Sequence, residues 1–248
     1  MNKLITFSVN EYKKLFMQTR TKIILALFVL CSLVVGLVSF FININTGVQM
    51  IVPGQFPVFV LNLLTRLVLP VLTIFIASEL FIGEFKDGTI KNLFALPVSK
   101  SIIYLGKLLA GAAVIGTCLV ALGVCSVAVS TVVNGFEAFG SIGGALISYM
   151  GAFVYIVVVL VIAGFISLLT GSPSTAVVVN LLIWLGLGFA GTFIAAVKGF
   201  LPTNFESWYQ PLINGVNITA ALPPLLFMIS YCVMFAVTGI MLFERKEV

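Results

Sequence analysis

Few side chains in this sequence are placed to do chemistry. Arg66 and Glu79 are the two charges that fall inside long apolar runs. A charge at membrane depth is costly enough that lining a translocation path or gate is the first reading. On one helix they would stand about 20 Å apart, too far to pair with each other. Arg66, about two turns from its helix end, has a second reading as a snorkelling side chain. Glu79, one turn from the other end, has a second reading as an interface carboxylate answering nearby lysines.

The polar stretch Gly83 to Lys107, GEFKDGTIKNLFALPVSKSIIYLGK, carries the densest signal. Asp87 and Thr89 suit the N-terminus of a short helix, Gly88 permits a sharp turn, and Pro97 ends the helix soon afterwards. Between them Ile90, Leu93 and Phe94 fall at i, i+3 and i+4, an apolar knob on an otherwise polar loop. Such a knob exposed to water is a liability, and a groove on a partner that receives a helix would explain it.

Several chemistries are absent from the sequence. The one Gly-Lys pair, Gly106-Lys107, lacks the upstream glycine and the Ser or Thr of a phosphate-binding loop. With no histidine and no G-x-S-x-G elbow, zinc-protease and serine-hydrolase motifs are missing too. Cys31, Cys118, Cys125 and Cys232 all lie in apolar segments without metal-site spacing and read as small core residues. No catalytic, cofactor-binding or metal-ligating residue is therefore assigned to this chain.

The elements that position these residues follow from composition. Of 248 residues, 61% are hydrophobic and 8% charged, against roughly 25% charge in a soluble domain. At about 20 apolar residues per crossing the length holds about six spans and no soluble catalytic domain. The expected fold is an all-α polytopic membrane protein, a single transmembrane domain over residues 1–248. Its spans are expected near Ile23–Ile42, Val58–Ile82, Leu108–Val133, Ile142–Leu169, Thr175–Val197 and Leu225–Phe243.

Residues 3–22 precede them as an amphipathic interface helix, with Ile5, Val9, Tyr12 and Phe16 on one face and Lys3, Asn10 and Lys14 roughly opposite. This segment is unlike a cleavable signal and is expected to be retained. Residues 83–107 form a loop on one side, and 198–224 a long segment on the other.

Lysine and arginine fix the expected orientation. With both termini cytosolic, eleven fall inside (Lys3, Lys13, Lys14, Arg20, Lys22, Lys86, Lys91, Lys100, Lys107, Arg245, Lys246), while Lys198 falls outside and Arg66 within a span. A net charge of +5 dispersed in this way suits membrane topology and excludes nucleic acid as a partner.

At Glu84, Gly88-Thr89, Ile90 to Leu96, Pro97-Val98-Ser99-Lys100 and Gly106-Lys107 the sequence resembles the type-2 ABC exporter permeases. The resemblance extends to the layout: basic amphipathic helix, six spans, a long outer segment before the last span and a short charged tail. It implies a non-catalytic transport subunit in a bacterial cell membrane, paired with a second permease copy or paralogue. ATP and Mg would be bound by a separate cytosolic ATPase. The loop residues Glu84, Gly88, Thr89, Ile90, Leu93, Phe94 and Pro97 would then couple to that ATPase.

It implies too that 200–222, with Trp208 and Tyr209, dips into the outer leaflet. The small first outer loop is similar to that of compact permeases expelling antimicrobial or amphipathic peptides, so a hydrophobic or amphipathic substrate is expected. An ion-driven secondary transporter and a non-transporting scaffold or sensor subunit are the alternatives. The first would need midplane polar groups that this chain has in short supply. In the fifth span, Gly188, Gly191, Thr192 and Ala195 form a small-residue stripe, for packing within the bundle or between two copies.

Overall fold

The structure, a computed structural model, describes residues 3–46, 51, 54–91, 98–135, 142–213 and 217–246. Among them the secondary structure is helical throughout, with no strand. The helices are α1 (Lys3–Met17), α2 (Thr19–Thr46), α3 (Phe56–Arg66), α4 (Val68–Lys86) and α5 (Lys100–Asn134). They continue as α6 (Ile142–Leu168), α7 (Pro173–Phe193), α8 (Ala195–Lys198), α9 (Gln210–Ile213) and α10 (Ile218–Arg245). Six of them, α2, α4, α5, α6, α7 and α10, are long and apolar enough to cross a membrane. The chain is a multi-pass membrane protein of the expected class.

The second apolar run departs from expectation. Instead of one helix from Val58 to Ile82, the chain breaks at Leu67, whose backbone leaves the helical region at φ −133° and ψ −50°. Pro70 supplies the cause, because its ring collides with the carbonyl four residues back, at Arg66, and it has no N–H to donate. The ladder restarts with Val71 N donating to Leu67 O at 3.2 Å. At 11 residues α3 is about 16 Å long, too short to span, so the crossing belongs to α4 alone.

Two other spans start seven or eight residues earlier than expected. Helix α5 begins at Lys100, not Leu108. Helix α10 begins at Ile218, where the Asn217 side chain caps it by accepting from Ala220 N at 3.2 Å, and it carries Pro223 and Pro224 within its length. Helix α7 starts from a capping box in which Ser172 and Thr175 each bond the other's backbone N–H, with Pro173 at the first helical position.

Helix α6 is the central mast and packs against α4, α5, α7 and α10. Its apolar window is 78% buried, whereas α2 and α10 bury 17% and 11% and turn exposed leucine, valine and phenylalanine outward. In water such faces would be untenable; in a bilayer they meet lipid tails or another apolar helix.

Helix α5 lies against the mast and against α1 and α2, and glycines mark where it comes close. An added Cβ would stand 2.4 Å from Phe7 at Gly106, 3.2 Å from Leu160 at Gly111, 3.3 Å from Phe153 at Gly116 and 3.4 Å from Tyr149 at Gly123. Between α5 and α6 an apolar groove of about 790 Å³ runs along Gly116, Gly123, Tyr149 and Phe153.

Helix α1 is amphipathic but shorter than expected: it ends at Met17, and residues 19–22 belong to α2. Ile5, Val9 and Phe16 are exposed on one side, and Tyr12 stacks on Phe16 at 5.7 Å between ring centroids. Glu11 and Leu15 on the other side are buried. A tight bend at Gln18 joins α1 to α2, closed by Thr21 Oγ1 donating to Leu15 O at 2.6 Å.

Candidate functional site: a buried charge cluster at the lysine-rich end

Four charges from three helices meet where α1 packs against α4 and α5. Glu11 and Lys14 lie one turn apart on α1, Glu84 sits in the last turn of α4, and Lys107 lies two turns into α5. Lys14 Nζ donates to Glu84 Oε1 at 2.5 Å. Lys107 Nζ stands 2.8 Å from Glu84 Oε2 and 3.5 Å from Glu11 Oε2, and directs a hydrogen bond to Leu80 O at 3.1 Å. Toward Oε2 the Lys107 contact is an ion pair without hydrogen-bond alignment.

The cluster balances two carboxylates against two ammoniums. That balance is required, because the Lys107 side chain is only 1% exposed and an unpaired charge there would be severely penalised. The Lys14 side chain is 53% exposed. Burial pulls the Lys14 ammonium toward neutrality, but the hydrogen bond and charge of Glu84, with Glu11 and Asp87 behind it, hold it above the ordinary lysine value.

The sequence places these groups by simple means. Glycine at 106 lets the Phe7 ring close onto the α5 backbone, which carries α1 within reach of the next residue, Lys107. Thus the Gly-Lys pair has a physical division of labour: the first residue makes room and the second supplies the buried cation.

The remaining residues singled out by sequence are not all drawn together. Asp87 ends α4, its N–H donating to Gly83 O at 3.0 Å, and so does not start the following helix. Gly88 occupies the left-handed region at φ +69°, as a sharp turn there requires, and Thr89 is exposed. A new helical turn begins at Ile90, which is 2% exposed and belongs to the protein's own core rather than to an outward knob. Leu93, Phe94 and Pro97 lie outside the described residues.

Arg66 is exposed at the end of α3, outside the spanning helix, where the negative helix terminus favours a cation. Glu79 lines a cavity of about 710 Å³ bounded by α1, α2, α4, α5 and α7, with Gln18, Thr21, Lys86 and Asp87 among its polar lining and Leu72, Phe75 and Ile76 among its apolar lining.

Sequence reasoning missed three features. Lys14 and Lys107 as partners of Glu84, with Glu11 as the second carboxylate on Lys107, depend on contacts between distant segments. Asn180, 3% exposed in α7, donates to Ser167 Oγ at 3.1 Å and Ala176 O at 2.9 Å, while Ser167 meets Ser78 Oγ at 3.3 Å, so α4, α6 and α7 share one polar tie. A lone amide in an apolar run was the available signal.

At the opposite end, Tyr209 Oη donates to Asn62 Oδ1 at 2.9 Å and Trp208 Nε1 to Gly151 O at 2.9 Å, anchoring the segment before α10 onto α3 and α6. Burial pushes the nearby Glu206 carboxyl above its usual range, partly opposed by the Arg66 charge. Of the small-residue stripe, Gly191 packs on Asn204 and Leu201 of the same chain, whereas Gly188 has open space beside it. Among the described residues no three histidine, cysteine or carboxylate side chains converge, and the chemistry of the cluster is charge pairing rather than metal ligation.

Residues 10–186, from α1 well into α7, match the family described as ABC-2 family transporter protein. No curated protein matches the chain.

Proposed function

The chain belongs to the ABC-2 transporter family as a membrane-embedded transport component, not itself catalytic, and from that premise we propose that it is the permease of an ATP-driven exporter. In this reading two permease copies, or a copy and a paralogue, work with separate cytosolic ATPase subunits that bind ATP and Mg. Both termini and the α4–α5 connection face the cytosol, as the eleven-to-one distribution of lysine and arginine favours. The cargo is a hydrophobic or amphipathic compound, with amphipathic peptides as the leading class.

The buried cluster of Glu11, Lys14, Glu84 and Lys107 carries this reading. It ties the interface helix to both helices flanking the α4–α5 connection. A force applied to that connection by a partner therefore reaches two spanning helices and α1 together. Within the connection, Ile90 is the permease's own anchor. Leu93 and Phe94 are the apolar side chains we assign to the partner's groove.

The test is co-purification. Leu93→Ala combined with Phe94→Ala should insert and express at the parent level yet lose the ATPase, since a buried aromatic anchor contributes on the order of 2 kcal/mol or more. Full retention of the ATPase and of its activity in the double variant would remove the coupling assignment.

A further inference from the structure

We propose that the end of the chain, Phe243 to Lys246, is a positioning strap that holds the two flanks of the α4–α5 connection in register. The proposal rests on the coupling reading above, but its first readout does not.

Lys100 poses the question. It opens α5, and a cation in the first turn of a helix opposes the positive end of the helix dipole. Its ammonium is turned instead to the C-terminus of α10, where it donates to Glu244 O and Lys246 O, both at 3.0 Å. A lysine on the last carbonyls of a helix is a favourable cap. The exchange is reciprocal, because Ser101 Oγ donates to Glu244 Oε1 at 2.5 Å and so brings a carboxylate to the positive start of α5.

The same tail reaches the other flank. Lys246 Nζ lies 4.7 Å from the centre of the Phe85 ring, a cation–π contact with the penultimate residue of α4. Phe243, fully buried, meets Phe85 edge-on at 6.0 Å and Tyr104 at 5.9 Å. Gly239 allows this approach, since a Cβ there would stand 2.1 Å from Tyr104 Oη. Thus Phe243, Glu244 and Lys246 between them touch α4 just before the connection and α5 just after it.

The two halves of the strap differ in kind. The aromatic half is buried and belongs to the fold. The polar half is nearer to solvent, with Lys100 and Ser101 half-buried and Glu244 exposed, and contributes less to stability than the aromatic half. Removing it should leave the bundle intact and free the connection.

The experiment uses the full chain without its native cysteines, carrying Ile90→Cys as reporter. That site is buried, so thiol labelling in membranes opened to the cytosolic face reads opening of the connection. Lys100→Met should raise the labelling rate roughly three- to tenfold, and Lys100→Arg, which keeps the charged donors, should restore the parent rate. In the permease–ATPase complex, Lys100→Met should retain the partner but lose the difference between complexed and free ATPase rates, again restored by arginine.

Unchanged labelling in Lys100→Met, or raised labelling with that rate difference intact, overturns the strap. Failure of the parent chain to retain any ATPase would instead sink the exporter reading, and the labelling rate alone would then decide whether the strap holds the connection.

Discussion

Lys107→Met is the substitution whose consequence the structure specifies most sharply. At an effective dielectric of about 20, an ion pair at 2.8 Å is worth about 6 kcal/mol in Coulomb energy and one at 3.5 Å about 5 kcal/mol, before desolvation is charged against them. Methionine fills nearly the same space but leaves Glu11 and Glu84 with only the half-exposed Lys14 to answer them. Breaking a buried arrangement in this way costs about 3–5 kcal/mol. Lys14→Met, removing an exposed partner, should cost about 0–1 kcal/mol.

For a chain of this size that predicts a fall in midpoint temperature on the order of 10 °C for Lys107→Met and a few degrees at most for Lys14→Met. Both are read by thermal unfolding of the detergent-solubilised protein. Adding Glu84→Gln to Lys107→Met should recover part of the loss, because it removes one stranded charge. If Lys107→Met were no more damaging than Lys14→Met, the cluster would not be the buried tie described above.

Gly106→Ala should push α1 off α5, because the new methyl meets the Phe7 ring at 2.4 Å; detergent stability should fall by about 1–3 kcal/mol and recover with Phe7→Ala. Gly151→Ala should do likewise at the other end, where the methyl would lie 2.4 Å from Tyr209 Cδ1; it should change Trp208 fluorescence while leaving Ile90→Cys labelling unaffected. Glu206 has a raised carboxyl pKa, so its protonated form favours the packed segment: that contribution is present below the ordinary glutamate value and fades as pH rises through the raised one. Arg66→Met removes the opposing charge and should move the transition, followed by Trp208 fluorescence, to higher pH. Cysteines at Asn204 should react with an impermeant reagent from outside intact cells and those at Lys91 should not; the reverse pattern would invert the topology.

The spans and the amphipathic character of α1 were legible because each is written in local terms, as about twenty apolar residues or as a 3.6-residue stripe. The break at Leu67 had a local signal, since Pro70 strains a helix through Arg66, but Pro223 and Pro224 lie inside α10 without ending it, so proline alone does not place a break. Helix ends at Lys100 and Ile218 were harder, because charged and polar residues can continue a helix beyond the bilayer. Glu84 stood out by its place in a pattern, yet its partners Lys107 and Lys14 come from segments 23 and 70 residues away, and no periodicity links them. Ile90 was read outward because its neighbours are polar; its actual burial depends on the three-dimensional packing around the α4–α5 turn.

Helix α5 has 35 residues and no proline, so it is a stiff member about 52 Å long joining one membrane face to the other. Its four glycines are notches, each filled by a bulky side chain of a neighbour. Sliding the rod along its axis by a single residue, about 1.5 Å, would unseat all four side chains together, whereas close-packed contacts resist such intermediate positions. Axial sliding of α5 is therefore opposed at four points along its length at once, from its packing on α1 near one end to Tyr149 of α6 farther along.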